Sequence, residues 1–302
     1  MVNTTENPGQ RFRNALASET PLQIAGAIHA YAAMLAQRAG FQAIYLSGAG
    51  VANASYGLPD LGFTSLDDVL IDVRRITRAT PLPLLVDIDT GWDDPGKTVA
   101  EMIRAGAAAV HMEDQVEMKR CGHRPGKQLV SCDAMCARLA AALSGRNDPS
   151  FVIMARTDAA ASEGLDAAIA RARAYVAAGA DMIFAEAMES QDDYKAMTEA
   201  LDVPVLANMT EFGKSPLCTT DELAAVGVGL VLYPLSAFRA MNAAAENVYT
   251  AIRTRGTQAD VIDQMQTRET LYDVLDYHRF EQDADTRLTA HNNQNTGERD
   301  HE

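Results

Sequence analysis

Arg104-Ala-Gly-Ala-Ala-Ala-Val-His-Met-Glu113 contains, in one stretch, the unit from which the chain is built. A basic helix end comes first, then a glycine suited to the left-handed turn that closes a helix. A short apolar run of strand length follows and stops on a carboxylate. The same punctuation recurs as Arg38-Ala-Gly-Phe41 and Ala177-Ala-Gly-Ala180. Working outward, short apolar runs of β character alternate with Ala-rich helical stretches. The expected strands are Leu22–Ala27, Ala43–Ser47, Leu84–Asp89, Ala109–Glu113, Phe151–Arg156, Met182–Glu186, Val203–Asn208 and Gly229–Tyr233. Ser65-Leu-Asp-Asp68 and Thr219-Thr-Asp-Glu222 read as capping boxes opening helices, and Val69, Val73 and Ile76 then recur at helical spacing. Eight near-continuous apolar strands alternating with helices predict an α/β fold, a TIM (β/α)8 barrel. An open doubly wound sheet is the rival, but the Gly-x-Gly-x-x-Gly turn that usually follows its first strand is missing.

The 302 residues suit one barrel domain, and 47% hydrophobic residues suffice for a large core. Residues 1 to 20 read as an arm or short helix. After Pro234 two helices are expected, 236 to 256 and 259 to 281, the second carrying Val261, Ile262, Met265, Leu271 and Leu275 on one stripe. This extension, from about 240 to 282, has an apolar face to spare, which suits subunit contacts. Residues 283 to 302 are polar enough to be read as a disordered tail. A net charge of −15 argues against nucleic acid or an anionic membrane as partner. No run of eighteen apolar residues and no signal-peptide core are present, so a soluble protein is expected. The four cysteines (Cys121, Cys132, Cys136, Cys218) lack disulfide-framework or zinc spacing, which fits a reducing cytoplasm.

In such a barrel chemistry gathers at the C-terminal ends of the strands. The second ends Tyr45-Leu-Ser47-Gly48-Ala49-Gly50, small residues whose backbone N–H groups can grip a carboxylate. The third offers Asp87 and Asp89, whose i,i+2 spacing puts both on one side of a strand and suits Mg²⁺; a salt-bridged structural pair is the competing reading. Glu113 can reach the same metal directly or through a water, with His111 deeper in the core. Arg156, Glu186, Asn208, Thr210 and Arg239 complete a ring suited to a small polycarboxylate. No Gly-x-x-x-x-Gly-Lys cradle for a nucleotide occurs. Between these, residues 113 to 127 are too polar to be buried and read as a loop. At its centre Cys121 lies among Lys119, Arg120, His123 and Arg124, which would stabilise a thiolate.

With these residues in view, the chain resembles the isocitrate lyase and phosphoenolpyruvate mutase superfamily, and within it the branch that cleaves 2-methylisocitrate. The match rests on Tyr45-Leu-Ser-Gly-Ala-Gly50, Gly57-Leu-Pro-Asp-Leu-Gly62, Asp87-x-Asp89, His111-x-Glu-Asp-Gln115 and Lys119-Arg-Cys-Gly-His-Arg-Pro125. It continues through Ala155-Arg-Thr-Asp-Ala159, Leu206-Ala-Asn-Met-Thr-Glu-Phe-Gly213, Tyr233-Pro-Leu-Ser-Ala-Phe-Arg239 and Met265-Gln-Thr-Arg268. The Lys-Arg-Cys-Gly-His segment is the mark of the carbon–carbon lyases. The resemblance implies Mg²⁺-dependent cleavage of 2-methylisocitrate to pyruvate and succinate in the methylcitrate cycle of propionate breakdown. It also implies a homotetramer exchanging C-terminal helices. In this reading Asp87 and Asp89 hold Mg²⁺, with Glu113 acting through water. Ser47, Gly48 and Ala49 take the pyruvyl carboxylate. Arg156, Glu186, Asn208, Met209, Thr210, Arg239 and Arg268 surround the succinyl part, with Cys121 and Gly122 on the segment that meets substrate. Cys121 is the acid; Tyr45 is the base, with Asp60 through water as the alternative. Isocitrate or dimethylmalate cleavage is the alternative activity, and a carboxylate-sensing barrel the alternative outside enzymes. The chain departs from the family pattern at Ala49 and Ala185, and in a shortened stretch after Asp89, Thr90-Gly-Trp-Asp-Asp-Pro-Gly-Lys97.

Overall fold

The computed structural model describes residues 6–116 and 128–297. Cys121 and Gly122 therefore lie outside the described residues, as do the first five and last five positions. Eight parallel strands close into a barrel in chain order: β1 Leu22–Gly26, β2 Ala43–Leu46, β3 Leu84–Asp87, β4 Ala109–Glu113, β5 Val152–Thr157, β6 Met182–Ala185, β7 Val205–Asn208 and β8 Leu230–Tyr233. β1 pairs with β8 through Leu22 and Leu230, which shuts the sheet. The expected TIM barrel is thus the observed one.

Alternation along each strand sorts the side chains into two cores. Ala43, Tyr45, Leu85, Ala109, Val152, Met154, Met182, Phe184 and Leu206 fill the interior, and Phe12 of the helix Pro8–Ser18 joins them. Ile44, Val86, Val110, Ile153, Ile183 and Val205 face the helices instead. Following the inner parity upward leads from Leu85 to Asp87, from Ala109 through His111 to Glu113, from Met154 to Arg156, from Phe184 to Glu186 and from Leu206 to Asn208. The apolar interior therefore ends in a ring of polar side chains at the C-terminal mouth. One residue later, Met209 takes the outer parity and packs in the helix-facing core, its N–H on Leu232 O at 2.8 Å. Its side chain is removed from the expected site for that reason.

The chain divides into two compact units, one ending at Met241 and one beginning at Asn242. The helix Ser236–Arg255 matches its expected range. The single second helix expected over 259 to 281 is instead a 3-10 turn, Ala259–Gln264, and two helices, Arg268–Leu275 and Tyr277–Gly297. Thr267 caps the first of these through the Thr270 N–H, and Asp276, at φ 52°, turns the backbone left-handed between them. A local cap and a local break outweigh the apolar stripe, and Ile262 is left 65% exposed. The tail read as disordered from 283 continues the last helix to Gly297. Its polar composition offers no apolar stripe for packing, but that does not forbid a helix.

Candidate active site

β3 ends at Asp87, so the pleat does not bring Asp89 beside it. A left-handed turn does: Asp89 has φ 50°, Gly91 φ 92° and Trp92 φ 51°. Non-glycine residues in that region cost free energy and gather at functional sites. The turn folds the Asp89 N–H back onto Asp87 Oδ1 at 3.1 Å. A Cβ placed on Gly48 would stand 3.1 Å from Asp87 Oδ2 and 3.2 Å from Asp89 Oδ1. Both carboxylates thus press against one point of backbone, and a side chain there would displace them. The expected proximity is present, but its cause is the turn.

The Gly48 N–H donates to Asp87 Oδ2 at 3.1 Å, which ties the loop after β2 to the acidic pair. Tyr45 reaches the same pair from β2. Its hydroxyl lies 2.9 Å from His111 Nε2 and 3.5 Å from Asp87 Oδ2. The two rings stack with centroids 5.6 Å apart, and Phe184 meets His111 edge-on at 5.0 Å. His111 is wholly buried, as a core histidine that orients the tyrosine.

Opposite, Arg156 extends into a nest of acids. Nε and Nη2 donate to the two oxygens of Asp158 at 2.9 and 3.2 Å. Glu113 Oε2 lies 3.4 Å from Nε, and Glu186 Oε1 3.7 Å from Nη2. The guanidinium also stands 5.1 Å above the Phe184 ring. Burial alone would lower its pKa; Asp158, then Glu186 and Glu113, outweigh that and hold it well above the ordinary value. Asn208 Nδ2 donates to Glu186 Oε2 at 3.2 Å, and Thr210 lies buried beyond it. Arg239 is more exposed, its Nε 3.5 Å from Glu211 Oε2 and its guanidinium over Phe212. Glu211 also accepts from Ser236 Oγ. Asp60 lies half-buried on the loop before the helix Leu66–Ala79, and Arg268 opens its helix in the second unit.

Asp158, Glu211 and Asp114 were missed by the sequence reading, although Arg156-x-Asp158 already shows the i,i+2 spacing of a strand-end pair. Asp114 is fully buried. Desolvation raises its pKa, against hydrogen bonds from the Asp158 N–H and the Thr157 hydroxyl.

Asp87, Asp89, Glu113, Asp158 and Glu186 are all buried at this mouth, with Arg156 as the one buried arginine among the described residues. Such a surplus of carboxylate in a poorly solvated place calls for a cation. No three His, Cys, Asp or Glu side chains among the described residues converge into a complete metal cage. Two hard carboxylates with places left for water and ligand oxygens nevertheless fit Mg²⁺, which binds through few protein ligands.

The family model described as phosphoenolpyruvate phosphomutase matches residues 12–253. The 2-methylisocitrate lyase of Salmonella typhimurium is 60% identical over 283 residues, 92% of this chain and 96% of that protein. Among solved structures, a 2,3-dimethylmalate lyase superposes with a TM-score of 0.86 at 31% identity, covering 94% of this chain and 96% of its own. A phosphonopyruvate hydrolase in complex with oxalate and Mg²⁺ gives 0.80 at 29% identity, covering 91% and 97%.

Proposed function

The chain belongs to the phosphoenolpyruvate phosphomutase family, and from that premise we propose that it is a carbon–carbon lyase cleaving 2-methylisocitrate to pyruvate and succinate. The observation that carries this reading is the 60% identity to a 2-methylisocitrate lyase across nearly the whole of both chains. The mouth supports it: an acidic pair on one side, an arginine on the other, and a tyrosine between.

Asp87 and Asp89 would hold Mg²⁺, with Glu113 through a water. Bound there, Mg²⁺ would supply charge to stabilise the oxygens that become pyruvate. The Ser47 hydroxyl and the backbone of Gly48 and Ala49 receive the pyruvyl carboxylate. Arg156 and Arg239, with Asn208 and Thr210, bind the succinyl carboxylates, and Glu186 holds Arg156 and Asn208 in place. Tyr45 takes the proton of the 2-hydroxyl; His111, 2.9 Å away, fixes its orientation. Asp60 through a water is the second assignment for this base. As the hydroxyl oxygen becomes a carbonyl, the C–C bonding pair passes to the succinyl carbon, leaving an aci-carboxylate. Cys121, on the segment that also carries Gly122, delivers the proton that completes succinate.

The same reading puts the enzyme in the methylcitrate cycle of propionate breakdown, in the cytoplasm, as a homotetramer whose C-terminal helices are exchanged between subunits. The test is pyruvate release from 2-methylisocitrate beside glyoxylate release from isocitrate, both with Mg²⁺. One methyl group discriminates by roughly 10- to 200-fold, and a preference for the methylated substrate in that range is expected. Preference for isocitrate or 2,3-dimethylmalate would assign the other substrate of the family. Tight carboxylate binding without turnover would make the barrel a sensor.

A further inference from the structure

Asp114 follows Glu113 at the top of β4, is fully buried, and holds three hydrogen-bond donors although no substrate-binding role is assigned to it. Its Oδ2 accepts from Thr157 Oγ1 at 2.8 Å and from the Tyr175 hydroxyl at 2.9 Å. Its Oδ1 accepts from the Asp158 N–H at 3.0 Å, and Arg171 Nη1 stands 3.7 Å from Oδ2. Two of these bonds go to the end of β5, directly below the Asp158 side chain that grips Arg156. One carboxylate therefore sets the end of β4 against the end of β5, and with it Glu113 against Arg156.

The backbone of the same residue joins a second set of contacts. Asp114 O accepts from the Val130 N–H at 2.9 Å, and Val116 N–H donates to Gln128 O at 3.0 Å. Gln115 and Leu129 form an antiparallel bridge between them. Two arginines brace this stem from the surrounding helices. Arg138 Nη1 donates to Gln115 O at 2.7 Å, and Arg171 Nη1 donates to Val130 O at 3.0 Å while Glu163 holds its other nitrogens.

We infer that Asp114 is a positioning residue for the lyase reaction: it acts through Asp158 to aim Arg156 at a substrate carboxylate, and through the stem 114–116 and 128–130 to fix the backbone on either side of the mouth. The inference rests on the proposed function. Asp114→Asn removes the charge that faces Arg171 and puts an NH₂ in place of Oδ2, so the Thr157 and Tyr175 hydroxyls, which donate to the carboxylate, must turn and accept. Misplacement of a binding group by about an ångström costs up to about a hundredfold in rate.

The experiment compares wild type with Asp114→Asn and Tyr175→Phe, in the presence of Mg²⁺. It reads KM and kcat for 2-methylisocitrate, the dissociation constant of succinate by calorimetry, and the melting temperature. For Asp114→Asn, succinate affinity and kcat are each expected to fall about tenfold, so that kcat/KM falls about a hundredfold. Tyr175→Phe, which removes one donor and no charge, moves the same quantities in the same direction by roughly threefold. A lowered melting temperature with succinate affinity and kcat unchanged overturns the inference and leaves the proposed function standing. Should Asp114→Asn fail to fold, unchanged affinity and kcat in Tyr175→Phe overturn it. A wild type that turns over no 2-methylisocitrate overturns both.

Discussion

The two ends of the barrel each build an ionic centre on a strand terminus, with opposite arithmetic. Below β6, Asp181 sits between two arginines, Arg13 and Arg146, each 2.8 Å from one of its oxygens, and accepts the Ile153 N–H at 2.9 Å. At the mouth Arg156 sits among Asp158, Glu113 and Glu186, with Asp87 and Asp89 across the opening. The lower centre ties the helix Pro8–Ser18 to the barrel wall, with every oxygen of its carboxylate engaged. The upper centre has more buried acid than buried base. A fold has no reason to collect that surplus for its own stability, since like charges with little water destabilise it. The lower end is built to stay closed, whereas the surplus of buried acid at the upper end suits a bound cation.

That contrast can be broken at either end. The largest effect is expected at Cys121: Cys121→Ser should lower turnover by about 10²- to 10⁴-fold while leaving succinate affinity in place. Single-turnover kinetics would measure it, and near-normal turnover would remove Cys121 from the mechanism. Next, Asp87→Asn should lower kcat by about 10²- to 10³-fold. Its melting temperature should hold or rise, because the mouth loses a like charge. Loss of folding in that variant would make the acidic pair structural and erase the contrast.

At the lower end the expectation reverses. Asp181→Ala should cost about 1–3 kcal/mol of stability, by leaving two arginines and a buried N–H without their acceptor. Its kcat in the folded enzyme should match wild type; denaturant titration and steady-state assay together check this. The smallest effect belongs to neither end. Asp68 closes the capping box of the helix Leu66–Ala79. The Ser65 N–H, then the Ser65 and Tyr56 hydroxyls, hold its pKa below the ordinary 3.8. A depressed carboxyl pKa means that its stabilisation is present above 3.8 and is lost as pH falls through the lower folded value. Asp68→Ala should therefore cost about 0.5–1 kcal/mol at neutral pH, with the gap from wild type closing in acid.

Much of this was legible in the sequence because the barrel repeats one local rule. Gly40, Gly106 and Gly179 mark the turns into β2, β4 and β6, and each has positive φ. The apolar runs between such marks gave the strands to within two residues at either end. The strand-end chemistry followed from position, since Asp87, Glu113, Arg156, Glu186 and Asn208 lie at the ends of their apolar runs, and the pleat of the folded barrel turns them to the inner face. Parity also sends Met209 outward, a consequence that a motif match passes over. Asp89 joined Asp87 through a left-handed turn that no pattern of spacing announces. Arg156 looked like a free clamp because its partner Asp158 lies past the strand, where side-chain direction depends on the turn. In the second unit, the apolar stripe from Val261 to Leu275 suggested one helix, but the Thr267 cap and the left-handed Asp276 divide it. Those are local choices, weaker than a hydrophobic period and therefore easy to overlook.

The most direct test of the acid-rich mouth is a thermal melt of wild type, Asp87→Asn and Asp181→Ala, each titrated with MgCl₂ in the absence of substrate. A ligand that binds only the folded state raises its melting temperature in step with occupancy. Wild type and Asp181→Ala should shift upward together and saturate, while Asp87→Asn should stay flat. Equal shifts in all three proteins would contradict the account, because Mg²⁺ would then be bound somewhere other than the Asp87 and Asp89 pair.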